Sequence, residues 1–85
     1  MQLNTEKKII QKSFGIHVRN LRIEKGFTQV ELSSNMNKDQ QSLQRVESGN
    51  VSPSLYYLFE LAEGLGVSIS ELMEFNMIEK KNKKS

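Results

Sequence analysis

The sequence predicts an all-α fold of five short helices, and three observations carry that prediction. Apolar residues recur at three- and four-residue spacing, as in Ile10, Phe14, Val18 and Leu21. A helix-start signature occurs twice, Thr28-x-x-Glu31 and Ser68-x-x-Glu71, in which a hydroxyl and an acid each satisfy the other's backbone N–H. Gly26, Gly49 and Gly66 stand where helices must stop. No period-two stretch is long enough to insist on a strand.

Residues 1–8 have no apolar period and read as a flexible extension, with Thr5 placed to cap a helix starting near Glu6. The first helix ends after Lys25, a base favourable at a helix C-terminus. Gly15 inside it lowers helix propensity and points to close helix–helix packing. Thr28 opens a second helix of about two turns, with Val30, Leu32 and Met36 as its apolar contacts. Asn37, tolerant of the left-handed conformation, falls where that helix ends. Asp39 suits the cap of a third helix, which turns Gln40, Gln41, Ser42, Gln44 and Arg45 outward and Leu43 and Val46 inward. Pro53 and Ser54 announce a fourth helix, with Leu55, Leu58, Leu61, Ala62 and Leu65 on its buried face and Glu60 and Glu63 opposite. The fifth carries Ile69, Leu72 and Met73, and Phe75, Met77 and Ile78 follow it. The tail over 79–85, EKKNKKS, is polar, basic and expected to be disordered, which leaves a domain over 9–78. Two short helices separated by a tight turn, the second polar at its N-terminal end, describe a helix-turn-helix.

Composition narrows the function classes. Eighty-five residues make one small domain with a single modest core, so no separate sensor or catalytic domain is expected. Cysteine is absent, which removes disulfides and thiolate metal sites and suits a reducing cytosol. No apolar run reaches the roughly 18 residues of a membrane span, and the N-terminus lacks a signal-peptide core; a cytoplasmic protein is expected. Residues 1–50 hold eight bases against five acids (+3), residues 51–78 no base and four acids (−4), and residues 79–85 four bases against one acid (+3). The helix-turn-helix half is therefore the basic one, as a face that approaches phosphates would be, although solvated charge has the same appearance. A lone His17, read as a surface residue, supports no metal site, and the hydroxyls have no Asp–His set. Neither a cofactor nor a small-molecule effector is expected, and an enzyme is the least favoured class.

The fragments FGIHVRNLRIEKGFTQVELS, QQSLQRVESG and SPSLYYLFELAEGLGVSISELM, in that order and spacing, resemble the DNA-binding domain of the phage lambda repressor and Cro-like (Xre-type) helix-turn-helix family. The resemblance covers residues 14–73. It implies a five-helix domain whose helices 2 and 3 form the helix-turn-helix, with the third helix in the DNA major groove. Carried over by position, it implies base contacts by Gln40, Gln41 and Arg45, a phosphate contact by Gln29, and a buried structural ion pair between Arg22 and Glu47. Gln pairs bidentately with adenine and Arg with guanine, so those residue types suit base reading on physical grounds too. Gln44 and Ser42 flank them, Gln44 at a base edge and Ser42 at a phosphate, and Lys38 is a further phosphate contact. Asn37 replaces the usual turn Gly, and Ser33 stands where Ala is common. Ser54 stands where some phage repressors place a minor-groove Arg, so no such contact is expected.

The expected function is sequence-specific transcription regulation, as a repressor or autoregulator, on double-stranded DNA with a palindromic operator. Ile69, Leu72, Phe75, Met77 and Ile78 exceed what so small a domain easily hides, and a homodimer through this segment would bury them. It would also set two third helices about one DNA turn, roughly 34 Å, apart. The same residues folding back on their own core is the competing reading. Tyr56 and Tyr57 suit a phosphate, a dimer contact or simple packing. The size resembles that of restriction–modification controller proteins and small phage regulators. The alternative function is an antitoxin-like protein-binding module with DNA binding secondary.

Overall fold

The structure, a computed structural model, describes residues 4–78. Five helices follow in order: α1 (Asn4–Glu24), α2 (Gln29–Asn35), α3 (Gln40–Glu47), α4 (Leu55–Leu65) and α5 (Ile69–Met73). No strand occurs among the described residues. None of their helices is long and apolar enough to cross a membrane. Helix α1 begins at Asn4, so residues 4–8 of the expected extension are helical and Thr5 lies inside α1 rather than capping it. The tail over 79–85 lies outside the described residues.

Local chemistry sets the helix ends. Thr28 Oγ1 accepts the Glu31 N–H at 3.0 Å, and Glu31 Oε1 accepts the Thr28 N–H at 2.9 Å. Ser68 and Glu71 repeat the arrangement, both bonds at 3.0 Å. The Ser68 backbone N–H holds the Glu71 carboxyl below its ordinary value. Ser54 Oγ caps α4 by accepting the Tyr57 N–H. Asn37 adopts φ 62° between α2 and α3, where a β-branched residue would be strained. Asp39 occupies the N-cap of α3 in extended conformation but makes no side-chain cap bond, so its expected role is filled by backbone geometry alone.

The core gathers one stripe from each helix: Phe14 and Val18 of α1, Leu32 of α2, Leu43 and Val46 of α3, Leu61, Ala62 and Leu65 of α4, and Leu72 of α5, with Met36 from the α2–α3 turn. Besides Ile10, which is 41% exposed, two expected core residues lie outside it. Val30 is 57% exposed and Leu55 is 71% exposed. Each sits in the first turn of its helix, where only part of the apolar stripe faces the bundle. Leu72 moves the other way. Expected at a dimer interface, it has no exposed surface at all and belongs to the monomer's core.

The segment after α5 folds back on α1. Phe75 packs on Phe14 with ring centroids 5.4 Å apart and stacks on His17 at 5.8 Å. The His17 ring Nε2 donates to the Glu71 carbonyl at 3.1 Å, so His17 is a packing residue between α1 and α5 rather than a bare surface residue. Buried Ser13 donates to the Ile9 carbonyl at 2.6 Å and accepts the Ile78 N–H at 2.9 Å, fixing the last described residue to α1. Ile69 and Phe75 are half-buried against the core, while Met77 and Ile78 remain exposed.

Candidate nucleic-acid interface

Helix α3 has two faces of opposite character. Leu43, Val46 and Glu47 are buried, whereas Gln40, Gln41, Gln44 and Arg45 are exposed. Gln41 and Arg45, at i and i+4, share one outward flank, and Gln40 and Gln44 share the adjacent one. These four side chains present amide and guanidinium groups able to pair with base edges.

The helix is anchored mainly at its C-terminal end. Arg22 Nε and Nη2 grip the Glu47 carboxylate at 2.7 and 3.1 Å, and Arg22 Nη1 donates to the Phe27 carbonyl at 2.9 Å. A bidentate geometry, with the third nitrogen bonded to a backbone carbonyl, is what a buried pair needs to offset its desolvation. It ties α1 to α3. Gly15 lies beside it: a Cβ at that position would sit 2.5 Å from the Val46 carbonyl oxygen and 2.6 Å from that of Glu47. No side chain fits there, so the two backbones touch directly. Gly49, past the end of α3, combines φ 76° with a similar approach to the Lys12 backbone.

The residues expected at phosphates have protein partners as well. Gln29 Nε2 donates to Glu47 Oε1 at 2.9 Å, and Gln29 Oε1 accepts from Gln40 Nε2 at 3.3 Å. Lys38 Nζ lies 3.2 Å from Glu60 Oε1, across from α4. Ser42 donates to the Asp39 carbonyl and lies 3.4 Å from the Tyr57 hydroxyl. Tyr57, which the sequence left open among three roles, supports the outer flank of α3 from α4, and burial pushes its phenol above the ordinary value. Ser33 buries its hydroxyl by donating to the Gln29 carbonyl at 2.8 Å, which is how α2 accepts it at a tight position.

Away from α3, Leu55 and Phe59 form an exposed apolar pair at i and i+4 on α4, next to exposed Tyr56. Tyr56 and Phe59 fall outside the buried stripe in the sequence too, whereas Leu55 is expected on it because it also fits the i+3 series. Among the described residues no group of three or more His, Asp or Glu is placed to hold a metal.

A helix-turn-helix family model (HTH_3) matches residues 18–72. An HTH-type transcriptional regulator of Sinorhizobium fredii, y4dJ, is 41% identical over 64 residues, covering 75% of this chain and 83% of that protein. Among solved structures, the restriction–modification controller protein C.AhdI of Aeromonas hydrophila superposes with a TM-score of 0.73 at 31% identity, covering 75% of this chain and 97% of that one. The clp gene regulator ClgR of Corynebacterium glutamicum superposes with a TM-score of 0.71 at 25% identity, over 75% of this chain and 83% of that one. With an all-helical fold, an anchored second helix of the motif and this match over most of its length, the chain belongs to the lambda repressor-like (Xre-type, HTH_3) helix-turn-helix family of DNA-binding transcription regulators.

Proposed function

We propose that this protein is a sequence-specific repressor or autoregulator that binds a palindromic operator as a homodimer and inserts α3 into the major groove. The observation that carries the proposal is the split character of α3, buried and ion-paired on one face, and lined on the other by Gln40, Gln41, Gln44 and Arg45. Those four residues read bases. Lys38 retains ammonium protons beyond its pairing with Glu60, Ser42 retains acceptor capacity, and Gln29 retains one amide proton, so all three remain able to hold the backbone of the duplex.

Dimerisation uses the apolar surface that the fold leaves open. With Leu72 enclosed and Phe75 seated on Phe14, the apolar residues in and after α5 that stay exposed for it are Met73, Met77 and Ile78. Two copies joined there give the twofold symmetry that a palindrome matches. The similarity to C.AhdI, a restriction–modification controller protein, over 97% of that controller's length supports a regulator of this kind.

The test is selection of bound sites from random duplex DNA, followed by a salt titration on the winner. A twofold-symmetric motif with half-sites about one turn apart, bound more tightly as salt falls, is the expected result. Salt-sensitive binding with no enriched motif would refute it. The exposed Leu55, Tyr56 and Phe59 favour, as a second reading, a protein-binding module of the antitoxin type. A protein that aggregates alone and is rescued by the product of a neighbouring gene would decide for that reading.

A further inference from the structure

Residues 75–78 form a strap outside any helix, so its place is set by what it touches. Its ring and hydrogen-bond contacts go to α1. Phe75 packs on Phe14 and stacks on His17, and His17 Nε2 donates to the Glu71 carbonyl just ahead of the strap. At the far end, the buried Ser13 hydroxyl donates its proton to the Ile9 carbonyl at 2.6 Å, which leaves its oxygen to accept the Ile78 N–H at 2.9 Å. A side chain without an acceptor cannot hold Ile78 in this way.

The same helix carries α3. Gly49 lies against the Lys12 backbone, Gly15 against the carbonyls of Val46 and Glu47, and Arg22 grips the Glu47 carboxylate. By the helical period, positions 12, 15 and 22 share one face of α1, and positions 13, 14 and 17 share the opposite one. Helix α3 and the strap are therefore mounted back to back on one rod. Packed helices lie about 8–10 Å apart, axis to axis. Two steps of that order, from α3 to α1 and from α1 to the strap, make roughly 16–20 Å, and a twofold axis beside the strap doubles this to roughly 32–40 Å. One turn of DNA, roughly 34 Å, falls within that span.

We propose that Ser13 and Phe75 are positioning residues for operator spacing: by clasping the strap to α1 they fix the separation of the two α3 helices in the dimer, and with it the distance between half-sites. Neither residue touches DNA. Met77 and Ile78 bring the partner to the strap, and α1 converts the strap's position into a length. Ser13 and the strap both lie outside residues 18–72, over which the family model matches, so the clasp is an addition to the matched domain. This rests on the homodimer and the palindrome proposed above.

The experiment compares full-length wild type, Ser13→Ala and Phe75→Ala, with a thermal melt of each. Affinities are measured on the selected site and on versions with one base pair inserted or removed at its centre. Each change moves one half-site by about 3.4 Å and turns it by about 35° around the duplex. A dimer of fixed span leaves the DNA to absorb that change, so the wild type is expected to lose about tenfold or more in affinity at either step. Ser13→Ala releases the Ile78 end, and its loss is expected to shrink to about threefold. Phe75→Ala releases the whole strap and is expected to shrink it further, with base preferences within each half-site unchanged. If Phe75→Ala does not fold, Ser13→Ala alone decides. A Ser13→Ala protein with the wild-type spacing penalty overturns the clasp. So does one that loses affinity equally at every spacing, the signature of a weaker dimer or fold. A wild type indifferent to spacing overturns it as well. A wild type that selects no twofold-symmetric motif refutes the homodimer on a palindrome itself, a result seen before any variant is made.

Discussion

The two ends of α3 are built by opposite means. The C-terminal end is held by a bidentate ion pair, by backbone contact at Gly15 and by the core residue Val46. The N-terminal end has an N-cap residue whose side chain makes no cap bond, followed by exposed Gln40 and Gln41. Orientation and chemistry are thereby assigned to different residues. To read DNA as proposed, α3 needs a fixed axis and free side chains at once. It provides both by dividing them between its faces as well, since exposed Gln44 and Arg45 stand beside buried Val46 and Glu47.

That division is tested most severely by Arg22→Met. It leaves Glu47 buried without its main partner, and a loss of about 3–5 kcal/mol of stability is expected in urea unfolding. For a domain whose total is about 5–15 kcal/mol, this approaches unfolding. A loss below about 1 kcal/mol would show that the pair does not anchor α3. Next comes Gly15→Ala, whose methyl meets two carbonyl oxygens that cannot rotate away. The expected loss is about 3 kcal/mol, at the upper end for overpacking, read from the same unfolding curves.

At the exposed flank the effects move from stability to binding. Arg45→Ala is expected to leave the unfolding midpoint within about 0.5 kcal/mol of wild type. It should cost about 1–3 kcal/mol on the selected site and relax preference at one base pair. Unchanged affinity and preference would remove Arg45 from the reading face. The smallest effect separates two caps. Thr28→Ala is expected to cost about 1 kcal/mol, because it removes an observed cap bond, whereas Asp39→Ala should stay within about 0.5 kcal/mol. Equal losses would mean that the Asp39 carboxylate acts through the helix dipole.

What could be read from the sequence were the features encoded locally. Both capping boxes, the left-handed Asn37, and the stops at Gly26, Gly49 and Gly66 depend on residues only a few positions apart, and each occurs in the structure. Gly15 was readable as a close approach, but its partner was not, because 31 positions separate it from Val46 and nothing in the spacing names a neighbour. The exposed positions of α3 followed from helical periodicity. The internal partners of Gln29 did not, since they depend on where the far end of α3 falls. The errors over apolar residues share one cause. Val30, Leu55 and Leu72 are apolar residues whose burial depends on neighbours outside their own helix, and periodicity describes only the helix. The return of Phe75 to Phe14 and of Ile78 to Ser13 is likewise a tertiary event without a local mark.

Gly15 carries a further consequence for how such a molecule can change. At Gly15 α1 meets α3 through main-chain atoms, so no side chain at that contact offers a small step by which to tilt α3. On the function proposed above, new binding preferences are acquired most directly by exchanging the outward residues at positions 41, 44 and 45. Those exchanges leave the scaffold's folding free energy nearly untouched, so operator choice can drift quickly while the architecture stands still. Position 40 is the exception, since its amide is tied to Gln29, and a change there has to satisfy two partners at once.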